Sequence, residues 1–256
     1  MISLPTPKLG NVSAITITTP DLERSLAYWQ KLGFSEVMRA DYPFPWIQVS
    51  DGALLVMLRK DNEPYIALTY YVKDINDIVA DLENNDINFV QRPKNSDMVR
   101  KYVFKTPDGL NISLVNIMEG FIQPPGPTLL TMAQTDYFNP EKYVNKVCGL
   151  FGELAVPVSD LDRSLEYWKK LGFTELSKRT SPYPWAIISD GLSVIGLHQS
   201  SNFSTASITF FAADMKEKIE RLKIAGLDNY TEAGSSANIV LTTPEQQKVN
   251  LFKLGI

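Results

Sequence analysis

The amino-acid sequence predicts an α+β protein of four βαβββ modules, grouped as two similar domains with curved mixed β-sheets. Three observations lead there. The chain repeats itself, with Asp21 meeting Asp160 and Phe34 meeting Phe173 at a constant offset of 139 residues. Short segments alternate apolar and polar residues with the period of a half-buried strand, and between them apolar residues recur at spacings of three and four, as on a helix with one buried stripe.

The elements follow in order. Ala14 to Thr18 alternates as a strand, and Thr19-Pro20-Asp21 supplies helix-start chemistry. Leu22, Leu26, Trp29 and Leu32 then form the helix stripe, and Gly33 ends it. Trp29 and its repeat Trp168 are therefore expected in the core. Phe34 to Met38, Trp46 to Val49 and Leu54 to Leu58 read as strands, with Asp51-Gly52 as a hairpin turn. A second module runs from Ile66 to Val72, through a helix carrying Ile75, Ile78, Val79 and Leu82, to strands at Tyr102 to Lys105 and Leu110 to Val115 around Thr106-Pro107-Asp108-Gly109. The second half mirrors this, with Met215, Ile219 and Leu222 on its last helix and Thr243-Pro244-Glu245-Gln246 at its last turn.

These elements divide the chain into an N-terminal domain over 8–118, a linker over 119–147 and a C-terminal domain over 148–256. The linker carries Pro124-Pro125-Gly126-Pro127, yet Leu129, Leu130, Met132, Tyr137, Phe138 and Tyr143 make it too apolar to float, so it is expected to hug the surface with some helical turns. Whether modules pair within a half or across the linker is open at this point.

Composition narrows the function classes. With 25 Lys+Arg against 29 Asp+Glu the net charge is −4, and no basic run is long enough to follow a phosphate backbone. Nucleic acid is thus not expected as a partner. No apolar run reaches membrane length and the N-terminus lacks signal-peptide order, so the expectation is a cytoplasmic protein, monomer or homodimer. The lone cysteine, Cys148, is expected as a buried structural thiol, since no histidine lies near it in sequence. The single histidine, His198, excludes any mechanism that needs two imidazoles from one chain.

The segments DLERSLAYWQKLGF and DLDRSLEYWKKLGF differ only at Glu23/Asp162, Ala27/Glu166 and Gln30/Lys169. Together with the closing TPDG turn and its following strand, they resemble the vicinal-oxygen-chelate superfamily, the glyoxalase/bleomycin resistance protein/dioxygenase group, over nearly the whole chain outside the linker. The resemblance implies paired modules that curl their sheets into clefts. It also implies, for metal-dependent members, ligands on the first and last strands of each module that leave open positions on the ion. Carried across, those positions are Ala14, Met57, Ala67 and Ser113 in the first half and Glu153, Gly196, Ser207 and Asn250 in the second. The usual His and Glu set is absent, so no metal and no other cofactor is expected.

The reading that follows is a glyoxalase/bleomycin-resistance-like protein that binds a small organic molecule in a metal-free cleft, mainly in the C-terminal domain. Two alternatives stand beside it: a metal-dependent lyase, isomerase or dioxygenase with a degenerate site on Glu153, and a non-catalytic interaction protein. Whether any reaction is catalysed stays open. Candidate ligand-binding residues are Trp46, Trp185, Tyr183, Glu153, His198 and Asn250, with Glu153 and His198 as candidate acid and base. The two tryptophans, each in a Pro-aromatic-Pro-Trp context, either offer flat faces to a ligand or plug the sheet edge. Strand parity turns His198 toward the same cleft as Gly196, and leaves the first cleft with Ala14, Ser113 and Arg59.

Overall fold

The computed structural model describes residues 4–116, 126, 128–202, 204–227, 229–235 and 237–255. The first half runs β1 (Val12–Thr19), α1 (Leu22–Lys31), β2 (Ser35–Ala40), β3 (Trp46–Ser50) and β4 (Leu55–Lys60). Its second module is β5 (Ile66–Val72), α2 (Ile75–Asn84), β6 (Phe89–Gln91), β7 (Lys101–Lys105) and β8 (Asn111–Asn116). The second half repeats the order as β9 (Leu150–Pro157), α3 (Leu161–Lys170), β10 (Thr174–Arg179), β11 (Trp185–Ser189) and β12 (Val194–His198). It closes with β13 (Ser207–Ala212), α4 (Met215–Ile224), β14 (Tyr230–Glu232), β15 (Ile239–Thr242) and β16 (Lys248–Lys253). No helix among the described residues is long and apolar enough to cross a membrane.

Each half forms one eight-stranded mixed sheet, in the orders β2-β3-β4-β1-β5-β8-β7-β6 and β10-β11-β12-β9-β13-β16-β15-β14. The first strands of the two modules meet in the middle, where β1 runs antiparallel to β5 with Ile15 opposite Leu68. Modules therefore pair within a half. Each first strand also runs parallel to the last strand of its own module, as β1 does to β4 and β5 to β8.

Period-two alternation gives each sheet two different faces. In the first half Ile15, Ile17, Ile47, Val49, Val56, Leu58, Leu68 and Tyr70 point into a core that continues through Leu154, Ile195, Phe210 and Leu251 of the second half. The helices close that core. Asp21 caps α1 by accepting from the Arg24 amide at 3.0 Å, and Asp160 caps α3 in the same way. Gly33 and Gly172 follow the helices with φ of +87° and +91°, a conformation that costs glycine nothing. Trp29 and Trp168 are fully buried, each edge-on to the phenylalanine that starts the next segment, at 4.9 and 4.6 Å between ring centroids.

The halves grip each other reciprocally. Residues 5–8, which lead into the first half, lie against Gly191 and Gly172 of the second, and residues 144–147, which lead into the second, lie against Gly52 and Gly33 of the first. Leu129 and Leu130 pack on the core, Met132 and Tyr143 are buried, and two 3-10 turns occur at Gln134–Asp136 and Pro140–Lys142. Of the proline-rich part of the expected linker, all but Gly126 lies outside the described residues. Cys148 is buried with its thiol 3.3 Å from the Leu32 carbonyl oxygen, and burial pushes its pKa up, as a structural thiol requires.

Polar contacts finish the junction. The Asp51 carboxylate accepts from the Ala53 and Leu54 amides and from Asn145 Nδ2. Its repeat, Asp190, accepts from the Leu192 and Ser193 amides and, at 2.6 Å, from the Tyr70 hydroxyl of the other half. Burial raises the Asp190 pKa above the ordinary carboxylate range, and the Tyr70 bond, which favours the ionised form, pulls it back down. Replacing Tyr70 with Phe leaves that carboxylate short of a donor, and urea unfolding should show a loss of about 1–3 kcal/mol at pH 7. Because the bond favours ionised Asp190, the loss should shrink as pH falls through the raised carboxyl range; a penalty that grows toward acid would contradict this account.

Candidate functional site

The face of each sheet turned away from the core is the cleft. In the first half it is floored by Val12, Ala14, Leu55, Met57 and Tyr71, with Trp46 buried among them and Met38, Phe44 and Val115 around the edge. A cavity of about 330 Å³ opens over this floor. Tyr42, Phe44, Trp46, Met57, Tyr71 and Val115 give it apolar walls, and Thr16, Thr69, Arg59 and Lys101 give it polar ones. The Thr16 and Thr69 hydroxyls bond each other at 2.7 Å, and Tyr71 points its hydroxyl at the Met57 sulfur, 3.3 Å away. Trp46 stands beside Arg59 in the β3–β4 ladder and donates its indole N–H to the Tyr42 carbonyl oxygen at 3.3 Å. It thus lines the cavity while packing on the floor, so the two readings of this tryptophan describe one position.

Charge in this cleft is concentrated. Arg59 sits 5.3 Å from the Phe44 ring centroid and 5.1 Å from that of Tyr65, and Lys101 Nζ lies 5.0 Å from Tyr65. Arg59 Nη2 bonds Asp61 at 2.9 Å, while its buried Nε has no hydrogen-bond partner among the described residues. Burial lowers the Lys101 pKa to about 8, with Arg59 pushing the same way and Asp61 opposing. The Tyr65 hydroxyl is 2.9 Å from Ser113 Oγ, and burial raises its pKa.

The second cleft is built on a different floor. Glu153 Oε1 lies 2.8 Å from His198 Nε2, and the Tyr183 hydroxyl lies 3.2 Å from the other ring nitrogen, so three of the candidate residues form one chain of contacts. Glu153 and His198 are only 4% and 7% exposed. Gly196 makes their contact possible, since a Cβ there would sit 2.0 Å from Glu153 Oε2 and 2.6 Å from His198 Nε2. In the first half the repeat partners of Glu153, Gly196 and His198 are Ala14, Met57 and Arg59. A side chain fits at position 57, where Ala14 brings no carboxyl, whereas at Gly196 it would meet that of Glu153.

Asn250 donates to Ser207 Oγ at 2.9 Å and Thr209 Oγ1 at 3.0 Å, and Thr209 stands opposite Glu153 in the neighbouring ladder. A cavity of about 770 Å³ lies on this side of the sheet, with Tyr183, Ser207, Phe211, Lys248 and Asn250 among its lining residues. Glu153, His198 and Trp185 are not among the residues that line it. Trp185 is half-buried and pairs with His198 across the β11–β12 ladder. Burial and, next, the Glu153 charge raise the Tyr183 pKa.

Sequence reasoning did not single out Lys101, Tyr65, Phe44 or Tyr71. Phe44 carried a signal, because it repeats Tyr183. Lys101 carried none, since β7 begins one residue before its alternation becomes visible at Tyr102.

The family model of the Glyoxalase/Bleomycin resistance protein/Dioxygenase superfamily matches residues 11–114. The matched residues make up the first half of the chain, and the second half repeats their module order. Among solved structures it is similar to the 2,3-dioxygenase LapB from Pseudomonas sp. KL28, at 15% identity and a TM-score of 0.61, covering 98% of this chain and 94% of that one. It is similar also to homoprotocatechuate 2,3-dioxygenase from Brevibacterium fuscum (13%, TM-score 0.62, 96% and 72% covered) and from Arthrobacter globiformis (13%, TM-score 0.61, 98% and 82% covered). At that identity the likeness is one of fold. No curated protein matches the chain in sequence.

The residues do not fit the metal centre that the resemblance implies for metal-dependent members. The first half presents Ala14, Met57, Ala67 and Ser113 at those positions, and in the second half Glu153 and His198 Nε2 bond each other while the Asn250 amide bonds two hydroxyls. Among the described residues no three His, Cys, Asp or Glu side chains cluster as a metal site would need.

The exchange of Ala14 and Met57 for Glu153 and Gly196 has a direct test in stability. Gly196→Met alone forces a side chain into the Glu153 carboxyl and should cost at least about 1–3 kcal/mol in thermal or urea unfolding. Adding Glu153→Ala should recover a large part of that loss, giving a coupling above about 1 kcal/mol in a double-mutant cycle. Additive effects would show that the two positions do not compete for one space.

Proposed function

We propose that the chain binds a small, flat organic molecule without a metal ion, and that the cleft of the first half is its principal site. The observation that carries this reading is the cavity of about 330 Å³ walled by Phe44, Trp46, Met57 and Tyr71, with Arg59 and Lys101 beside it. Such a pocket matches the size and mixed lining of small-molecule sites, mostly apolar with a few convergent polar groups. The expectation from sequence put the site mainly in the second half. The emphasis moves because Glu153 and His198 are spent on each other there, whereas the polar groups of the first cleft retain unused bonding capacity.

Mass spectrometry of small molecules released from the purified protein tests the reading. The wild-type protein should release a compound that Val115→Trp, which fills the first cavity, no longer carries. A compound retained by Val115→Trp and lost on filling the second cavity instead would overturn the assignment.

One observation favours a second reading, in which the second cleft performs acid–base chemistry. Tyr183 both lines the second cavity and contacts His198, which Glu153 holds from behind. A carboxyl, an imidazole and a phenol in sequence can pass a proton to a bound molecule. On this reading, turnover of a compound found in that cleft should fall by about a hundredfold or more in Tyr183→Phe and His198→Ala alike. Unchanged turnover in both variants would leave the chain of contacts structural.

A further inference from the structure

Two cations share the first cavity with little to neutralise them. The Lys101 ammonium makes no hydrogen bond or ion pair with the described residues, and its Nζ lies 5.0 Å from the centroid of the Tyr65 ring. Arg59 has one carboxylate partner, Asp61, whose side chain is 39% exposed and therefore well solvated, while the Arg59 side chain is only 16% exposed. Its Nε is buried with no acceptor among the described residues. Asp97, the acid on the cavity wall, is exposed and accepts from the Lys94 amide. Holding charged groups out of water with so few acceptors is costly, and a bound anion would offset part of that cost.

We infer that Arg59 and Lys101 form an anion-recognising subsite, so that the molecule taken by the first cleft is an organic anion: a carboxylate or sulfonate carried on an aromatic body. The anion is held between the Arg59 guanidinium and Lys101 Nζ, and the aromatic body lies among Phe44, Trp46 and Tyr71. This deepens the binding function proposed above and rests on it. The subsite belongs to one copy of the repeat alone, because the positions matching Arg59, Tyr65 and Lys101 hold His198, Thr205 and Asn238.

A pH dependence follows. The groups facing Lys101 are Arg59 and Asp61 from β4 and the turn after it and Tyr65 ahead of β5, with Asp97 on the same cavity wall. Burial, with the Arg59 charge beside it, holds the Lys101 pKa down to about 8, and Asp61 opposes them. Anion binding favours the charged form, so affinity should be flat below that value and fall above it.

Two fluorescent probes with one aryl-naphthylamine body separate the charge from the pocket: anionic 8-anilinonaphthalene-1-sulfonate and neutral N-phenyl-1-naphthylamine. The sulfonate should bind at least about tenfold more tightly at pH 7, and Lys101→Met and Arg59→Met should each remove most of that preference while leaving the neutral probe within about twofold. Between pH 7 and 9.5 the preference should fall by about tenfold in the wild-type protein and stay flat in Lys101→Met. Equal affinity for both probes, each lost in Val115→Trp, would overturn the anion subsite and leave the cleft standing. Binding of both probes unaffected by Val115→Trp would overturn the cleft and the subsite together.

Discussion

Two carboxylates that fold into the interior hold this chain in its arrangement. Asp51 and Asp190 occupy the same place in the two copies, each tightening a turn by accepting from two backbone amides. A buried carboxylate needs more than that, and in each case the further donor comes from beyond its own sheet: Asn145 for Asp51 and Tyr70 for Asp190. Neither turn can be satisfied by its own sheet alone. The leading segments cross to the opposite halves, and the apolar core runs through both, so the two sheets form one folding problem although they arose as a repeat.

That constraint explains where divergence has been free. The core face of each strand must match helices and the other half, and it stays apolar in both copies. The opposite face answers only to its own cleft. There the copies have separated, with Ala14, Met57 and Arg59 in one and Glu153, Gly196 and His198 in the other. The changes are concerted in volume: the copy that carries a carboxyl at the first of these positions carries no side chain at the second. Electrostatics separates the clefts further, because the carboxyl of the second is met by imidazole, whereas the guanidinium and ammonium of the first face aromatic rings and one solvated acid.

Much of this was legible in the residues. The repeat, the capped helices with Trp29 and Trp168 on their buried stripes, and the hairpins follow from local chemistry and spacing, and strand parity together with the strand positions that the family resemblance implies placed His198 and Glu153 on one face. Module pairing was not legible, because β1 can pair with β5 or with a strand of the other half without changing any local pattern. The cation pair was hidden for a related reason. Arg59 and Lys101 lie on strands far apart in sequence, and only the sheet order β4-β1-β5-β8-β7 curls them over the same ring of Tyr65. The absence of the usual metal ligands, by contrast, needed no coordinates, since side-chain identity at each mapped position is read directly from the chain.

The two core tryptophans differ by one methylene group supplied from elsewhere. Glu245, at the last turn of the second half, reaches the Trp29 indole N–H at 2.7 Å and the Ser25 hydroxyl at 3.3 Å. At the matching turn of the first half Asp108 is one carbon shorter; it accepts from Ser164, and the Trp168 indole N–H is buried without a hydrogen-bond partner among the described residues. Two rings that are equivalent in sequence, burial and neighbouring phenylalanine are thus made unequal in a single proton. A proton held by a carboxylate is deshielded relative to one facing apolar atoms, so the indole N–H resonances of Trp29 and Trp168 separate, and each reports on the junction where one half rests on the other. The duplicated chain carries a built-in pair of labels, one for each side of its own seam.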